Sequence, residues 1–180
     1  MNKKDAQRLL DEAEMICSAK DVEQAVTRIA GDITAKMKDD FPIILSVMGG
    51  AAVFTGHLLT KLEFPLEFGA IEVTRYNNTT EGREIRWRLP PRENVRGRTI
   101  LVVDDILDEG ITLAAIRTKL LEMGAKAVYA AVFADKNIGR EKPATADFVG
   151  VTVPDRYVFG FGMDAYGLWR NLPAIYALRG

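Results

Sequence analysis

Residues 100–116 read ILVVDDILDEGITLAAI, and this stretch decides the fold. Four apolar residues lead into the adjacent acids Asp104 and Asp105, and a turn with Asp108 and Gly110 precedes the next apolar pattern. The continuous apolar run indicates a buried strand, and the renewed apolar spacing indicates a helix. Carboxylates this close raise one another's pKa. We therefore expect a cationic or hydroxyl-rich group to sit among them.

Length and composition favour one ordinary globular domain covering residues 1–180. Lys plus Arg (24) nearly balances Asp plus Glu (25), so nothing indicates a basic surface for nucleic acid. Cys17 and His57 are the single residues of their types, which excludes an intrachain disulfide and His-cluster zinc sites. The charged N-terminal stretch is unlike a signal peptide, and no apolar run is long enough to span a membrane. We expect a cytoplasmic protein without a membrane partner.

Apolar spacing predicts alternating helices and strands. N-terminal helices are expected within residues 4–38, the first over 4–17 and the second beginning near Ser18 or Asp21. Further helices are predicted at 49–62 and 112–123. Strands are predicted at residues 43–48, 66–76, 85–89, 99–105, 125–133, 147–153 and 157–162. The polar segment at about 77–83 is predicted to be a mobile loop, and 168–180 an irregular segment with a final apolar part.

This alternation predicts an α/β fold with a mostly parallel central sheet flanked by helices. Three polar groups follow predicted strands: residues 48–50 (MGG), the acidic stretch from Asp104, and Asp135 with Lys136. Ligands of such sheets bind beyond the carboxyl ends of the strands. The sequence therefore predicts one site built from all three groups.

The turn after the central strand has the features of a phosphate site. Backbone N–H groups at a helix start, together with a hydroxyl, form an anion cradle. The residues predicted to form it are Asp108, Glu109, Gly110, Ile111 and Thr112. Carboxylates such as Asp104 and Asp105 suit ribose hydroxyls or a Mg²⁺ ion with its waters. A phosphate beside sugar hydroxyls describes a ribose 5-phosphate.

The stretch VVDDILDEGITL, residues 102–113, resembles the phosphoribosyl-pyrophosphate (PRPP) signature of type I phosphoribosyltransferases. The resemblance extends over most of residues 40–172 and is greatest to the hypoxanthine-guanine phosphoribosyltransferases. It implies the type I fold, with a small hood formed by terminal segments. It also implies Mg²⁺-dependent transfer of the phosphoribosyl group from PRPP to N9 of a 6-oxopurine, as in purine salvage. Members of the family are usually homodimers or homotetramers, so we expect a homo-oligomer.

The resemblance also implies roles for residues outside the turn. Lys136, in FADKN, matches the lysine that reads the 6-oxo group of the purine. The segment PDRYVFGFGMD, residues 154–164, is similar to a family segment in which Tyr157 would stack on the base and Val158 would offer backbone groups to its edge. By the same match Asp164 would bind Mg²⁺ through water, and Arg170 would meet pyrophosphate.

The family resemblance also assigns the chemistry. Asp104 and Asp105 would hold the ribose hydroxyls and favour positive charge on the ring. Asp108 would exchange a proton with N7 of the purine while N9 attacks. Closure of the 77–83 loop would exclude water from the site.

Two positions depart from the family pattern. The pyrophosphate loop usually carries Lys or Arg, but here Met48, Gly49 and Gly50 leave that position without a cation. The mobile loop usually carries Ser-Tyr, but here it has Arg75 and Tyr76. Arg75 could supply part of the missing positive charge.

Four other interpretations stay open. The acids could simply cap a helix in an unrelated α/β protein. The chain could be a non-enzymatic PRPP-binding regulator, although its balanced charge argues against a DNA-facing surface. A phospho-accepting receiver domain has paired acids too, but on a different strand from its phosphorylated aspartate. Within the enzymes, a xanthine- or adenine-specific transferase is the second choice.

Overall fold

The computed structural model describes residues 2–75 and 85–179 of the chain. Within these residues the helices are α1 Lys3–Asp11, α2 Ala19–Met37, α3 Ala52–Leu59 and α4 Ile111–Glu122. The strands are β1 Glu14–Cys17, β2 Ile43–Met48, β3 Glu67–Arg75, β4 Ile85–Leu89, β5 Thr99–Leu107, β6 Ala127–Asn137, β7 Phe148–Pro154, β8 Val158–Phe159 and β9 Ile175–Ala177. None of the helices in this part of the chain is long and apolar enough to cross a membrane.

The central sheet has six strands in the order β4-β3-β2-β5-β6-β7. Only β4 runs antiparallel to its neighbour, so the predicted mostly parallel sheet is confirmed. Strand β5, which carries the apolar run of residues 100–103, lies inside the sheet between β2 and β6. Its carboxyl end therefore opens at the middle of the sheet edge, where neighbouring strands contribute side chains from both sides.

Both faces of the sheet are covered by helices. Leu101 and Val103 of β5 point into a core that contains α2 and α3, whereas Ile100 and Val102 point into a second core with α4. All four side chains are buried. A strand covered on both faces needs apolar residues at consecutive positions, which explains the unbroken apolar run of residues 100–103.

A second, smaller sheet forms the hood predicted from terminal segments. It has the strand order β1-β9-β8, with both pairs antiparallel. The Trp169 indole also donates to the Ala6 carbonyl at 3.0 Å, which ties α1 to the segment between β8 and β9. We call β1, β8 and β9 the hood sheet.

The prediction of one helix over residues 4–17 is wrong for its second half. Helix α1 ends at Asp11, and Glu14–Cys17 form β1. The segment pairs with β9, and this tertiary pairing overrides its moderate helix propensity. The segment 168–180, predicted to be irregular, contains β9 because residues 175–177 pair with β1 and β8. In the predicted strand 157–162, only Val158–Phe159 is a strand.

Two central strands are longer than predicted. β5 continues to Leu107 and β6 continues to Asn137, so Lys136 belongs to a strand instead of following one. Strand β3 ends at Arg75. Tyr76 and the predicted mobile loop 77–83 lie outside the described residues.

Candidate active site

A cavity of about 370 Å³ opens at the carboxyl end of β5. The turn after β5 forms one wall, the turn after β2 a second, and the segment between β8 and β9 a third. Its lining residues are Val47, Met48, Gly49, Gly50, Val73, Asp104, Asp105, Ile106, Leu107, Asp108, Gly110, Thr112, Leu113, Val132, Asp164 and Arg170. The structure thus brings together strand ends that are far apart in the sequence.

The turn after β5 depends on Gly110. This residue directly precedes α4 and has a φ of 79°, in the left-handed region that favours glycine. A Cβ there would also lie 3.1 Å from the Ala144 carbonyl oxygen. The backbone therefore turns sharply and aims the first N–H groups of α4 at the cavity, where an anion would be stabilised.

Asp105 is the most enclosed of the acids, with its side chain 14% exposed. Its Oδ1 accepts from the Ile106 N–H, and its own N–H donates to Asp104 Oδ1, both at 2.9 Å. Burial raises the pKa of the Asp105 carboxyl, while the hydrogen bond with Asp104 and the Arg170 guanidinium act in the opposite direction. The acid pair is thus a connected unit held by the backbone.

The turn after β2 packs tightly against Asp105. A Cβ on Gly50 would overlap the Asp105 carboxylate, and a Cβ on Gly162 would overlap the Gly50 carbonyl oxygen. A Cβ on Gly49, in contrast, would meet nothing within 4 Å. The Met48–Gly49 peptide bond is cis. Glycine at position 50 therefore lets this turn approach the acids closely.

Arg170 is the cation of the cavity wall. Its guanidinium lies 2.6 Å from Asp164 Oδ1 and 3.8 Å from Asp105 Oδ2, and it donates to the Gly162 carbonyl at 2.6 Å. Asp164 Oδ2 in turn accepts from the Gly167 N–H at 2.7 Å. This network holds a guanidinium and two carboxylates at one side of the cavity.

A second cavity, of about 250 Å³, adjoins the first. It is lined by Asp105, Ile106, Asp108, Lys136, Tyr157, Val158, Met163 and Asp164. At the boundary between the cavities, the Lys136 ammonium lies 2.9 Å from Asp108 Oδ2. The Lys136 side chain is 13% exposed, so its ammonium is largely shielded from solvent beside Asp108.

Tyr157 lines the second cavity and belongs to an aromatic pair that the sequence did not indicate. Tyr157 is stacked on Tyr166, with ring centroids 5.8 Å apart and an interplanar angle of 14°. Both tyrosines are exposed. Tyr157 therefore presents a flat apolar ring at the cavity mouth with its orientation already supported.

Most residues proposed from the sequence line one of the two cavities. Glu109 and Ile111 do not, and Glu109 pairs instead with Arg140 at 3.2 Å. Arg75 is the last residue of β3, and Tyr76 lies outside the described residues. Gly162 and Tyr166 were missed, because their contribution depends on packing partners that no spacing pattern shows.

Residues 12–166 match the model of the phosphoribosyl transferase domain. The chain is 32% identical over 170 residues to a hypoxanthine-guanine phosphoribosyltransferase of Bacillus subtilis, covering 94% of each chain. It is 29% identical over 173 residues to a hypoxanthine-guanine-xanthine phosphoribosyltransferase of Tritrichomonas foetus, covering 95% of this chain and 94% of that one. A solved hypoxanthine-guanine phosphoribosyltransferase of Bacillus anthracis superposes with a TM-score of 0.86 at 26% identity, covering 92% of this chain and 98% of that one.

Proposed function

The chain belongs to the phosphoribosyl transferase family, and we propose that it transfers the 5-phosphoribosyl group of PRPP to N9 of hypoxanthine or guanine. The products are IMP or GMP and pyrophosphate, a reaction of purine salvage. One observation carries the proposal: the cavity at the start of α4 adjoins the cavity that Tyr157 lines, with Lys136 and Asp108 paired at their boundary. C1 of a ribose in the first cavity would face the base in the second.

PRPP occupies the larger cavity in this proposal. The turn of residues 108–112 binds the 5-phosphate through backbone N–H groups and the Thr112 hydroxyl. Asp104 and Asp105 accept from the ribose hydroxyls. Pyrophosphate lies between Arg170 and the turn of residues 48–50, where backbone N–H groups replace the absent loop cation.

The purine occupies the smaller cavity. An ammonium is a donor without an acceptor, so Lys136 donates to O6 of a 6-oxopurine. Tyr157 stacks on the base, and backbone groups of Val158 meet its edge. Adenine presents an amino donor at the same position, so its donor would face that of Lys136.

The residues present fit a Mg²⁺ ion that is bound largely by water and phosphate oxygens. Within the described residues no group of three or more His, Cys, Asp or Glu side chains could hold a metal. Mg²⁺ usually keeps several waters and takes one or two carboxylates together with substrate phosphates. Asp164 would contribute through water, with Asp104 and Asp105 nearby, and a bound ion would neutralise charge on the leaving pyrophosphate.

Asp108 and Lys136 share the proton chemistry. When Lys136 turns from Asp108 to O6 of the base, the Asp108 carboxylate is released as an acceptor. It then takes the proton from N7 while N9 attacks C1 of the ribose. Asp104 and Asp105 meanwhile favour the positive charge that develops on the sugar ring. Closure of residues 77–83 over the site stays a prediction.

Xanthine is the second candidate base. Lys136 donates to O6 of xanthine as well as to O6 of hypoxanthine and guanine, and the Tritrichomonas relative is named for all three. A cytoplasmic location and a homodimer or homotetramer stay predictions from the sequence.

The test is an assay with PRPP, Mg²⁺ and each of hypoxanthine, guanine, xanthine and adenine, following nucleotide formation. We expect turnover with at least one 6-oxopurine and a preference over adenine of about 10⁴ or more, because a site built around a donor bond rejects a mismatched partner. Adenine as the best base would contradict the purine assignment. PRPP binding without any turnover would favour a regulator.

A further inference from the structure

Lys142 is a lysine whose charge is turned inward. Its side chain is 10% exposed. The ammonium donates to Asp135 Oδ1 at 2.5 Å, to the Lys136 carbonyl at 2.6 Å and to the Leu107 carbonyl at 2.7 Å. An ammonium has three donors, so every donor of Lys142 is engaged. Nothing in the loop sequence that contains Lys142 predicts this burial.

The three acceptors lie at the carboxyl ends of two neighbouring strands. Leu107 of β5 and Asp135 of β6 form the last register pair between these strands. The register between β5 and β6 ends at that pair. The Lys142 ammonium bridges them by binding one carbonyl from β5 and two oxygens from β6.

Each residue that the Lys142 ammonium contacts is either next to, or one of, the two residues proposed to act on the base. Leu107 directly precedes Asp108, and Asp135 directly precedes Lys136. The side chains of Asp108 and Lys136 meet at 2.9 Å on the other side of this junction. A shift between the two strand ends would therefore change the distance between the proton acceptor and the base-reading ammonium.

The segment around Lys142 supports the same turn at two further points. Arg140 contacts Glu109 at 3.2 Å. The Ala144 backbone lies where a Cβ on Gly110 would reach it, at 3.1 Å. Residues 140–144 therefore brace the phosphate turn from the side opposite the ligand cavity, and Lys142 is their buried anchor.

We infer that Lys142 is a positioning residue, which holds the backbones of Lys136 and Asp108 at a fixed separation and thereby sets selectivity for 6-oxopurines. The inference rests on the proposed function for its substrates. Lys142 acts through the two strand ends and lines neither ligand cavity. Removing its ammonium leaves the Asp135 carboxylate and two carbonyls without this donor, and such groups move to find water.

The variant Lys142→Met keeps the unbranched side chain, one atom shorter, and removes all three donors. Displacement by about 1 Å costs about 10²-fold in rate, so we expect kcat/KM for hypoxanthine to fall by about 10²-fold. We also expect the ratio of kcat/KM for hypoxanthine to that for adenine to fall at least about tenfold. Lys119→Met replaces an exposed lysine of α4 and should leave both values unchanged.

The ratio separates positioning from a structural role. Partial unfolding lowers the active fraction and reduces both rates equally, so it leaves the selectivity ratio unchanged. A ratio equal to that of the unsubstituted protein would overturn the inference. If Lys142→Met does not fold, Asp135→Asn serves instead, since it keeps the shape of the carboxylate and weakens its bond to the Lys142 ammonium. We expect a smaller fall in the ratio, in the same direction.

Hydrogen exchange tests, without any substrate, whether Lys142 holds the ends of β5 and β6 together. In Lys142→Met, amides of residues 107–112 and 135–138 should exchange at least about tenfold faster, while those of β2 keep their protection. Unchanged exchange at both strand ends would refute the proposal that Lys142 holds them together. Failure of the unsubstituted protein to use any 6-oxopurine would instead refute the proposed function, and the exchange result would still decide the role of Lys142.

Discussion

Gly49 and Gly50 are neighbours, yet the structure gives them opposite tolerance for a side chain. A Cβ on Gly50 would overlap the Asp105 carboxylate, whereas a Cβ on Gly49 would point into open space. The sequence shows only two consecutive glycines after a strand. Their difference depends on how closely the turn after β2 approaches the turn after β5, which is a property of the folded sheet.

Gly50→Ala should lower kcat/KM for PRPP by about 10²-fold, because Asp105 must move away from the ribose position. Gly49→Ala is the matched control and should change the same value by no more than a few-fold. Steady-state kinetics with PRPP varied at saturating base would measure both. Equal losses in the two variants would contradict the close packing of Gly50 on Asp105.

Asp108→Asn should lower turnover by about 10²–10⁴-fold, the usual contribution of general acid–base catalysis. The amide keeps the size of the side chain and leaves the backbone N–H groups of the phosphate turn in place. Titration with PRPP should therefore give an affinity close to that of the unsubstituted protein. Near-normal turnover would remove Asp108 from the proton-transfer step.

Helix α2 shows how much of an element can be read from the sequence. Ser18 was one of two predicted starting points, and it is the N-cap. Its hydroxyl accepts from the Asp21 N–H at 3.2 Å, and Asp21 Oδ2 accepts from the Ser18 N–H at 3.1 Å. Such a capping box has a local signature of four residues, so it is predictable, whereas β1 just before it is not.

Ser18→Ala should destabilise the protein by about 1 kcal/mol, because N–H groups at the start of α2 lose their acceptor. Ser18→Thr keeps the hydroxyl and should retain most of that stability. Chemical unfolding of both variants, with midpoints and slopes compared, would measure the difference. A destabilisation by Thr as large as that by Ala would contradict the capping role.

The same cap predicts a pH dependence. Hydrogen bonds from the Ser18 hydroxyl and backbone hold the pKa of the Asp21 carboxyl below its usual value. The ionised Asp21 carboxyl therefore contributes fully to the free energy of unfolding above its ordinary pKa, about 3.9. That contribution is lost as pH falls through the lowered pKa of the folded state. Asp21→Asn should be less stable than the unsubstituted protein at neutral pH. Unfolding measured at decreasing pH should show this difference in free energy of unfolding becoming smaller. A difference that stays constant in acid would exclude this origin.

On the scale of the whole molecule, the residue pattern predicts the strands of the central sheet but not those of the hood sheet, which only the family resemblance implied. Strands covered on both faces leave apolar runs, and these runs identify the strands. The hood strands are only four, two and three residues long, below the length at which alternation is informative. Most residues that the family resemblance proposed for the site line the two cavities, whereas the arrangement of Lys142 and Tyr166 depends on contacts between distant segments.

Ile175→Ala tests the contribution of the hood sheet to the whole fold. Ile175 lies in β9 and is fully buried in the core beneath α2. Truncation should destabilise the protein by about 2–5 kcal/mol, through lost burial and the cavity left behind. Leu121→Ala, at a half-exposed position of α4, should stay within about 0.5 kcal/mol. Equal unfolding midpoints for the two variants would mean that the hood sheet is not part of the cooperative core.

The pairing of β1 with β9 has a consequence for biosynthesis. Of the strands described here, β1 leaves the ribosome first and β9 leaves it last, so the nascent chain carries β1 without its partner until the last of these strands has emerged. Contacts between segments so far apart in sequence form slowly, because the intervening chain must first be ordered. The central sheet and its phosphate turn are complete earlier. We therefore expect the wall that carries Tyr157 to be assembled only once β9 has emerged, so that the turn proposed to hold the sugar phosphate forms before the cavity proposed to hold the base.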